Sequence, residues 1–253
     1  MTHPELLETQ HVTYAGQGAT ISAYLARPRS GGPYPALIVI HEAFGPNEHI
    51  HDVTRRFAAQ GFVALAPNLY SRGPAFDPAD RAAAMAAMFA LPDAQAVADL
   101  EGAARFLREQ PGTTGKVGCI GFCSGGRQTL LLACSSTVLD AAVDCWGGFI
   151  TRATPTDVVT ETRPVPVIDL VDRLACPLYA VFGAEDANPS PADAKLLEER
   201  LAAAHKTYTV EIFPDAGHAF FADYRDTYRE AAAFALWPKV LDFFRRHLGG
   251  ASA

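Results

Sequence analysis

The tightest constraint on how this chain folds sits at Gly121-Phe122-Cys123-Ser124-Gly125-Gly126, between the apolar run Lys116-Val117-Gly118-Cys119-Ile120 and a helical segment ending near Cys134. A strand must turn sharply into a helix there. Small residues two positions either side of Cys123 let strand and helix come close, so the middle residue can be held in a strained conformation at the turn. A thiol in that place is a candidate nucleophile. Ser124 would need a small residue at position 122, where Phe122 stands, and reads better as a backbone N–H donor. The plain alternative is a buried cysteine in an ordinary strand–helix turn, because free cysteine is among the most buried residue types.

Two downstream segments favour the nucleophile. The buried run Leu178-Tyr179-Ala180-Val181-Phe182 ends in the polar turn Gly183-Ala184-Glu185-Asp186, and the alternating Thr207–Phe213 strand ends in Pro214-Asp215-Ala216-Gly217-His218. An acid and a histidine each follow the carboxyl end of a strand. The chain order Cys123, Asp186, His218 is nucleophile, acid, histidine, the order of α/β-hydrolases and not of the chymotrypsin or subtilisin folds.

The rest of the chain alternates strands and helices. An antiparallel pair is expected near 11–14 and 19–26, then a buried strand Ala36–Ile40, a helix from Glu48 to Gln60 stopped by Gly61, and a strand Phe62–Ala66. Helical stretches around Asp80–Phe89 and Asp93–Gln110 precede the Cys123 turn, a strand Ala141–Trp146 follows its helix, and an amphipathic helix closes the chain near Leu248. This predicts an α/β fold with a mostly parallel, doubly wound sheet, helices on both faces, and active residues in loops at strand carboxyl ends. With 253 residues, 49% of them hydrophobic, one domain spanning residues 1–253 is expected.

Composition narrows the function. A net charge of −7, with no basic run longer than Arg55-Arg56 or Arg245-Arg246, argues against nucleic acid as a partner. No apolar run approaches the ~20 residues needed to span a bilayer, and the start Met1-Thr2-His3-Pro4-Glu5 lacks both a basic stretch and an apolar core. A soluble, cytoplasmic protein is expected. Five scattered cysteines, 119, 123, 134, 145 and 176, suggest neither disulfides nor a zinc knuckle. His41, His49 and His51 are unsuited to joint metal ligation, since the last two face different sides of a helix. No Gly-x-Gly-x-x-Gly follows a strand, so neither a dinucleotide nor another cofactor is expected. Nothing indicates the oligomeric state.

The loop His41-Glu42-Ala43-Phe44-Gly45, directly after the Ala36–Ile40 strand, belongs beside the nucleophile turn. Ala43 and Ser124 are the expected backbone oxyanion donors. Glu42 is either an ordinary loop carboxylate or a charge close enough to Cys123 to oppose ionisation of the thiol until it moves. Trp146, at a strand end, either lines the pocket or belongs to the core.

With these residues in place, the chain resembles the dienelactone hydrolase family (carboxymethylenebutenolidases) of the α/β-hydrolase fold from about residue 20 to residue 248. The resemblance rests on His41-Glu42-x-Phe44-Gly45, Pro67-x-Leu69-Tyr70-x-Arg72, Gly121-x-Cys123-x-Gly125-Gly126, Gly183-x-x-Asp186 and Ala216-Gly217-His218-x-Phe220. It implies a Cys-His-Asp hydrolase that opens an enol lactone through an acyl-enzyme. Cys123 would be nucleophile, His218 base and acid, Asp186 its orienter, Glu42 the activator that accepts the thiol proton, and Arg72 the clamp for a substrate carboxylate.

The family pattern is incomplete here. Members acting on dienelactones carry a second arginine four residues after the catalytic histidine, where this chain has Ala222; Arg225 is a substitute by proximity alone. The segment 147–176 is longer than expected for the family and is either a lid bringing Arg152 or Arg163 over the site or a surface excursion. The expected partner is a small carboxylate-bearing lactone or ester. A carboxylesterase or thioesterase of other preference, and a non-catalytic binding protein, stand as alternatives.

Overall fold

The computed structural model describes residues 6–151 and 160–249. Strands β1 (Leu7–Ala15) and β2 (Thr20–Pro28) form the antiparallel pair, and β3 (Tyr34–Ile40), β4 (Val63–Pro67), β5 (Thr113–Phe122), β6 (Ala141–Cys145), β7 (Leu178–Gly183) and β8 (Tyr208–Phe213) follow. They assemble in the order β1-β2-β4-β3-β5-β6-β7-β8. β2 meets β4 antiparallel, and every pairing from β4 across to β8 is parallel. The sheet is therefore mostly parallel, as the sequence pattern predicts.

Parallel strands covered on both faces read as unbroken apolar runs, and Ala36 to Ile40 of β3 are almost wholly buried. Side chains alternate between two cores. Ala36, Ile38 and Ile40 pack in one with Leu100, Leu130 and Leu197; Leu37 and Val39 pack in the other with Ile50, Phe57 and Phe244. The first face is covered by α3 (Asp93–Arg108), α4 (Ser124–Ser135) and α5 (Pro191–Ala203), the second by α1 (Glu48–Ala59) and α6 (Glu230–Leu248). Helix α2 (Arg81–Ala90) buries only Ala84 and Met88 and lies outside these layers.

Local signals explain the helix bounds. Asn47 caps α1 by accepting from the Ile50 N–H at 3.1 Å, and Gly61, at φ +85°, turns the chain out of it. Helix α5 is absent from the sequence expectations although it carries a capping box, Ser190 with Asp193, and Pro191 at its first position. Of the 147–176 segment, residues 152–159, and with them Arg152, lie outside the described residues. After them Val167–Arg173 forms a 3-10 helix whose Val167, Ile168 and Val171 are buried. Among the described residues, no helix is long and apolar enough to cross a membrane.

Two buried carboxylates support the centre of the sheet in different ways. Asp93, at the start of α3, accepts two hydrogen bonds from Arg127 of α4, at 2.6 and 3.0 Å, which ties the two helices together. Asp144 of β6 accepts from the Gly147 N–H at 2.8 Å through Oδ1, while Oδ2 is buried with no hydrogen-bond partner among the described residues. Burial pushes the Asp144 carboxyl up to about 7, despite the opposing Gly147 hydrogen bond. The folded protein thus holds this proton more tightly than the unfolded chain, whose aspartates titrate near ~3.9. The stability that Asp144 contributes therefore falls as pH rises from about 4 to about 7 and is level above. Asp144→Asn removes this contribution. Its melting temperature relative to the wild type should therefore be higher at pH 8 than at pH 5, and a difference independent of pH would show that Asp144 is ionised in the fold.

Candidate active site

The turn between β5 and α4 has the geometry its glycines permit. Cys123 stands at φ 57°, ψ −117°, and its N–H donates to the Cys145 carbonyl at 3.0 Å. A Cβ at position 121 would lie 2.0 Å from the Gly125 carbonyl oxygen, and one at position 125 would lie 2.5 Å from the Ile40 carbonyl oxygen. Only glycine fits either place. Strand, helix and the end of β3 meet there in direct backbone contact. Cys123 is partly exposed, whereas Cys119, Cys134, Cys145 and Cys176 are buried free thiols. Burial pushes Cys119, Cys134 and Cys176 up to about 12 and Cys145 well above its ordinary value, so these four stay protonated and inert.

His218 and Asp186 reach the same end of the sheet from the loops after β8 and β7. The His218 loop is anchored by Phe220 and Phe221, both buried, and the Glu185 N–H joins the two loops by donating to the Ala216 carbonyl at 2.9 Å. His218 Nδ1 lies 2.7 Å from Asp186 Oδ2. Asp186 Oδ1 accepts from the Asn188 N–H at 2.9 Å, which fixes the carboxylate. Burial opposes charge on the imidazole, but hydrogen bonding with Asp186 and with Cys123, together with their charges, raises His218 to about 10. The structure therefore brings Cys123, His218 and Asp186 together.

The loop after β3 supplies a fourth group in an unexpected arrangement. Glu42 is 2% exposed and points to the chain that follows His218: Oε2 accepts from the Tyr224 hydroxyl at 2.8 Å and Oε1 from Arg225 Nη1 at 3.0 Å. The Arg225 guanidinium also lies 5.4 Å from the centre of the Phe44 ring. Ala43, next to Glu42, is buried, and Ser124 opens α4, where the first backbone N–H groups have no carbonyl within the helix. His41 pins this loop to the one after β4. Its Nδ1 lies 2.6 Å from the Glu42 carbonyl oxygen and its Nε2 accepts from the Leu69 N–H at 3.2 Å; burial lowers it to about 4, so it is a neutral bracket.

Two expected substrate contacts are otherwise engaged. Arg72 donates through Nε to Asp99 Oδ2 at 3.2 Å and through Nη2 to Asp99 Oδ1. Asp99 is fully buried, and an ionised carboxylate there needs a cation, which Arg72 supplies. Trp146 is 1% exposed and packs between Phe122 and Phe220, at ring distances of 5.8 and 4.6 Å. Burial puts it in the core. Arg163 is buried too, with Nη2 donating to the Met88 carbonyl at 2.8 Å and its guanidinium 4.8 Å from the Phe89 ring.

The residue that sequence reasoning missed is Tyr70. Its ring packs 4.8 Å from that of His41, and its hydroxyl lies close enough to Ser124 and Cys123 for both to act on it. Burial above all, and then Cys123, push the phenol above its ordinary value, so it remains a donor. The signal for it in the sequence is its place in the Leu69-Tyr70-Ser71-Arg72 segment.

Comparisons with known proteins bear on the family and the fold. The sequence pattern of the dienelactone hydrolase family matches residues 21–248. A candidate carboxymethylenebutenolidase of Escherichia coli (strain K12) is 36% identical over 92% of this chain and 85% of its own length. Another, from Synechocystis sp., is 35% identical over 96% of this chain and 98% of its own. The crystal structure of a candidate dienelactone hydrolase from Klebsiella pneumoniae superposes with a TM-score of 0.87 at 33% identity, covering 95% of this chain and 99% of that one. With a match that runs from β2 to the end of α6 and a sheet shared with that structure, this chain has the α/β-hydrolase fold and belongs to the dienelactone hydrolase family.

Proposed function

We propose that this hydrolase cleaves lactones or esters through a thioester on Cys123. The observation that carries the reading is the partly exposed thiol on a strained turn, facing a histidine that a buried aspartate orients. Cys123 Sγ attacks the substrate carbonyl carbon with the thiol proton held on His218 Nε2, as the raised basicity of that imidazole favours. A C–S bond forms, and the carbonyl electron pair moves to oxygen, where the Ala43 and Ser124 N–H groups receive the charge. Collapse breaks the C–O bond, and His218 returns the proton to the leaving oxygen, which in a lactone stays attached to the acyl chain. Water, deprotonated by His218, then attacks the thioester and releases the Cys123 sulfur. Asp186 keeps Nδ1–H in place and so presents Nε2 to the sulfur.

Glu42 and Arg225 give this scheme a preference for substrates carrying a carboxylate. Arg225 is held by Glu42, beside Phe44 on the oxyanion loop. An anionic substrate group that drew Arg225 away would free Glu42 to turn towards Cys123 and assist removal of the thiol proton. In this reading the cation that recognises substrate is Arg225, and Arg72 serves to neutralise Asp99. The small partner is thus a carboxylate-bearing lactone or ester, and the reaction needs neither metal nor organic cofactor.

Cys123→Ala should lower kcat by a factor of about 10⁴ or more, the size of loss typical for a triad member. The same variant should abolish alkylation by iodoacetamide in the folded protein, because the other four thiols are buried. Labelling spread over several cysteines would contradict the structure, and retention of a tenth of the activity would remove Cys123 from the mechanism. Arg225→Ala should reduce the ratio of kcat/KM for a carboxylate-bearing lactone to that for a neutral ester by about 10- to 100-fold, as expected for a lost charge-assisted hydrogen bond. Arg72→Ala should leave that ratio unchanged and lower the melting temperature, since it strands the buried Asp99. The opposite pattern would return the clamp to Arg72.

A further inference from the structure

A cavity of about 490 Å³ lies between the loop that follows β4 and helix α2, and the catalytic scheme above does not use it. Its walls include Leu69, Tyr70, Phe76, Ala83, Ala87 and Leu91. The volume is that of a small-molecule site. Space exists because α2 turns alanines inward at 83, 87 and 90, one helical face, while Ala84 and Met88 on another face fasten the helix to the body. A large side chain at any of the three would fill the hollow.

Tyr70 connects this cavity to the nucleophile. One part of its ring forms the cavity wall and packs 5.6 Å from Phe76, while the hydroxyl reaches Ser124 beside Cys123. A molecule with its carbonyl at Cys123 therefore has an apolar hollow on the far side of one tyrosine. The hollow also lies apart from Arg225, which sits on the Phe44 side of the oxyanion loop. The cavity's chemistry is selective. Its one charged liner is Arg72, and Asp99 already takes that charge. An anion entering here would lose its hydration and gain no free cation, whereas hydrocarbon would lose nothing.

We infer that this cavity holds the uncharged, apolar arm of the substrate, so that the preferred esters or lactones carry a hydrocarbon substituent beyond the reacting carbonyl. The inference rests on the proposed reaction at Cys123 and adds the substrate's apolar half to it. Each methylene that enters should raise kcat/KM about three- to fourfold until the cavity is full.

The test compares p-nitrophenyl acetate, butyrate and hexanoate on the wild type, Ala87→Phe and Ala83→Phe. In the wild type, hexanoate should exceed acetate by at least tenfold in kcat/KM. Both Phe variants should reduce the hexanoate-to-acetate ratio at least fivefold, and two independent positions guard against a single variant that folds poorly. A flat chain-length series in the wild type, or an unchanged ratio in both variants, would overturn the inference. Binding of octan-2-one to Cys123→Ala, measured by calorimetry with and without Ala87→Phe, separates the cavity from the chemistry. Ketone binding that Ala87→Phe weakens at least fivefold, in a protein that hydrolyses none of the esters, would sink the proposed reaction and keep the cavity. Ester hydrolysis with ketone binding that ignores Ala87→Phe would do the reverse.

Discussion

The close approach of three backbone segments at Gly121 and Gly125 sets everything else at this site. Gly121 belongs to β5, Gly125 to the first turn of α4, and the carbonyl oxygens of Ile40 and His41 press against Gly125 from the end of β3. No side chain fits between them. This contact forces Cys123 to positive φ, which costs of order 1–3 kcal/mol for a residue other than glycine. It is offset by α4, most of whose residues, from Gly125 through Cys134, are buried. The same contact delivers the Glu42-Ala43 loop to the mouth of the turn. The positions of Cys123, of the Ala43 and Ser124 N–H groups and of Glu42 are thus consequences of one packing constraint, and the Arg127–Asp93 pair braces it from the side.

Buried carboxylates distribute the charges around this frame. Asp186 is committed to His218, Glu42 to Tyr224 and Arg225, Asp99 to Arg72, and Asp144, with no cation beside it, keeps its proton to a higher pH than an exposed carboxyl would. Each solution follows from the cost of an unpaired charge away from water. The pairs differ in what a ligand could take from them. Asp99 takes two hydrogen bonds from Arg72 and one from the Gln17 N–H, so removing Arg72 would leave its buried charge without a cation and with one bond of three, whereas Glu42 takes a single bond from Arg225 and keeps that of Tyr224 if Arg225 moves. Of the two arginine–carboxylate pairs beside the site, only the Glu42–Arg225 pair can open at modest cost.

The fold was largely legible because its information is local. The apolar runs that became β3, β5 and β7, the Asn47 and Gly61 signals around α1, and the glycine spacing about Cys123 all act within a few residues. Helix α5 was legible in principle through Ser190, Pro191 and Asp193, but its apolar face is short and its periodicity weak. The side-chain partners were not legible. Glu42 meets Tyr224 and Arg225 across more than 180 residues, and Arg72 meets Asp99 across 27, so no spacing rule reaches them. Proximity in sequence placed Arg72 in a family-like segment; only folding shows that a buried aspartate claims it. Trp146 ended in the core for a similar reason, since the aromatic residues on either side of it come from β5 and from the loop after β8.

Covalent capture of the acyl group tests the central claim most directly. The protein is mixed with an excess of a slowly hydrolysed lactone, quenched in acid within the first turnovers, and digested for mass spectrometry. A lactone loses no leaving group on ring opening, so the account predicts a peptide containing Cys123 heavier by the whole lactone mass, with the adduct removed by hydroxylamine as a thioester should be. Turnover with no adduct on Cys123, and an acyl group on Ser124 instead, would contradict it.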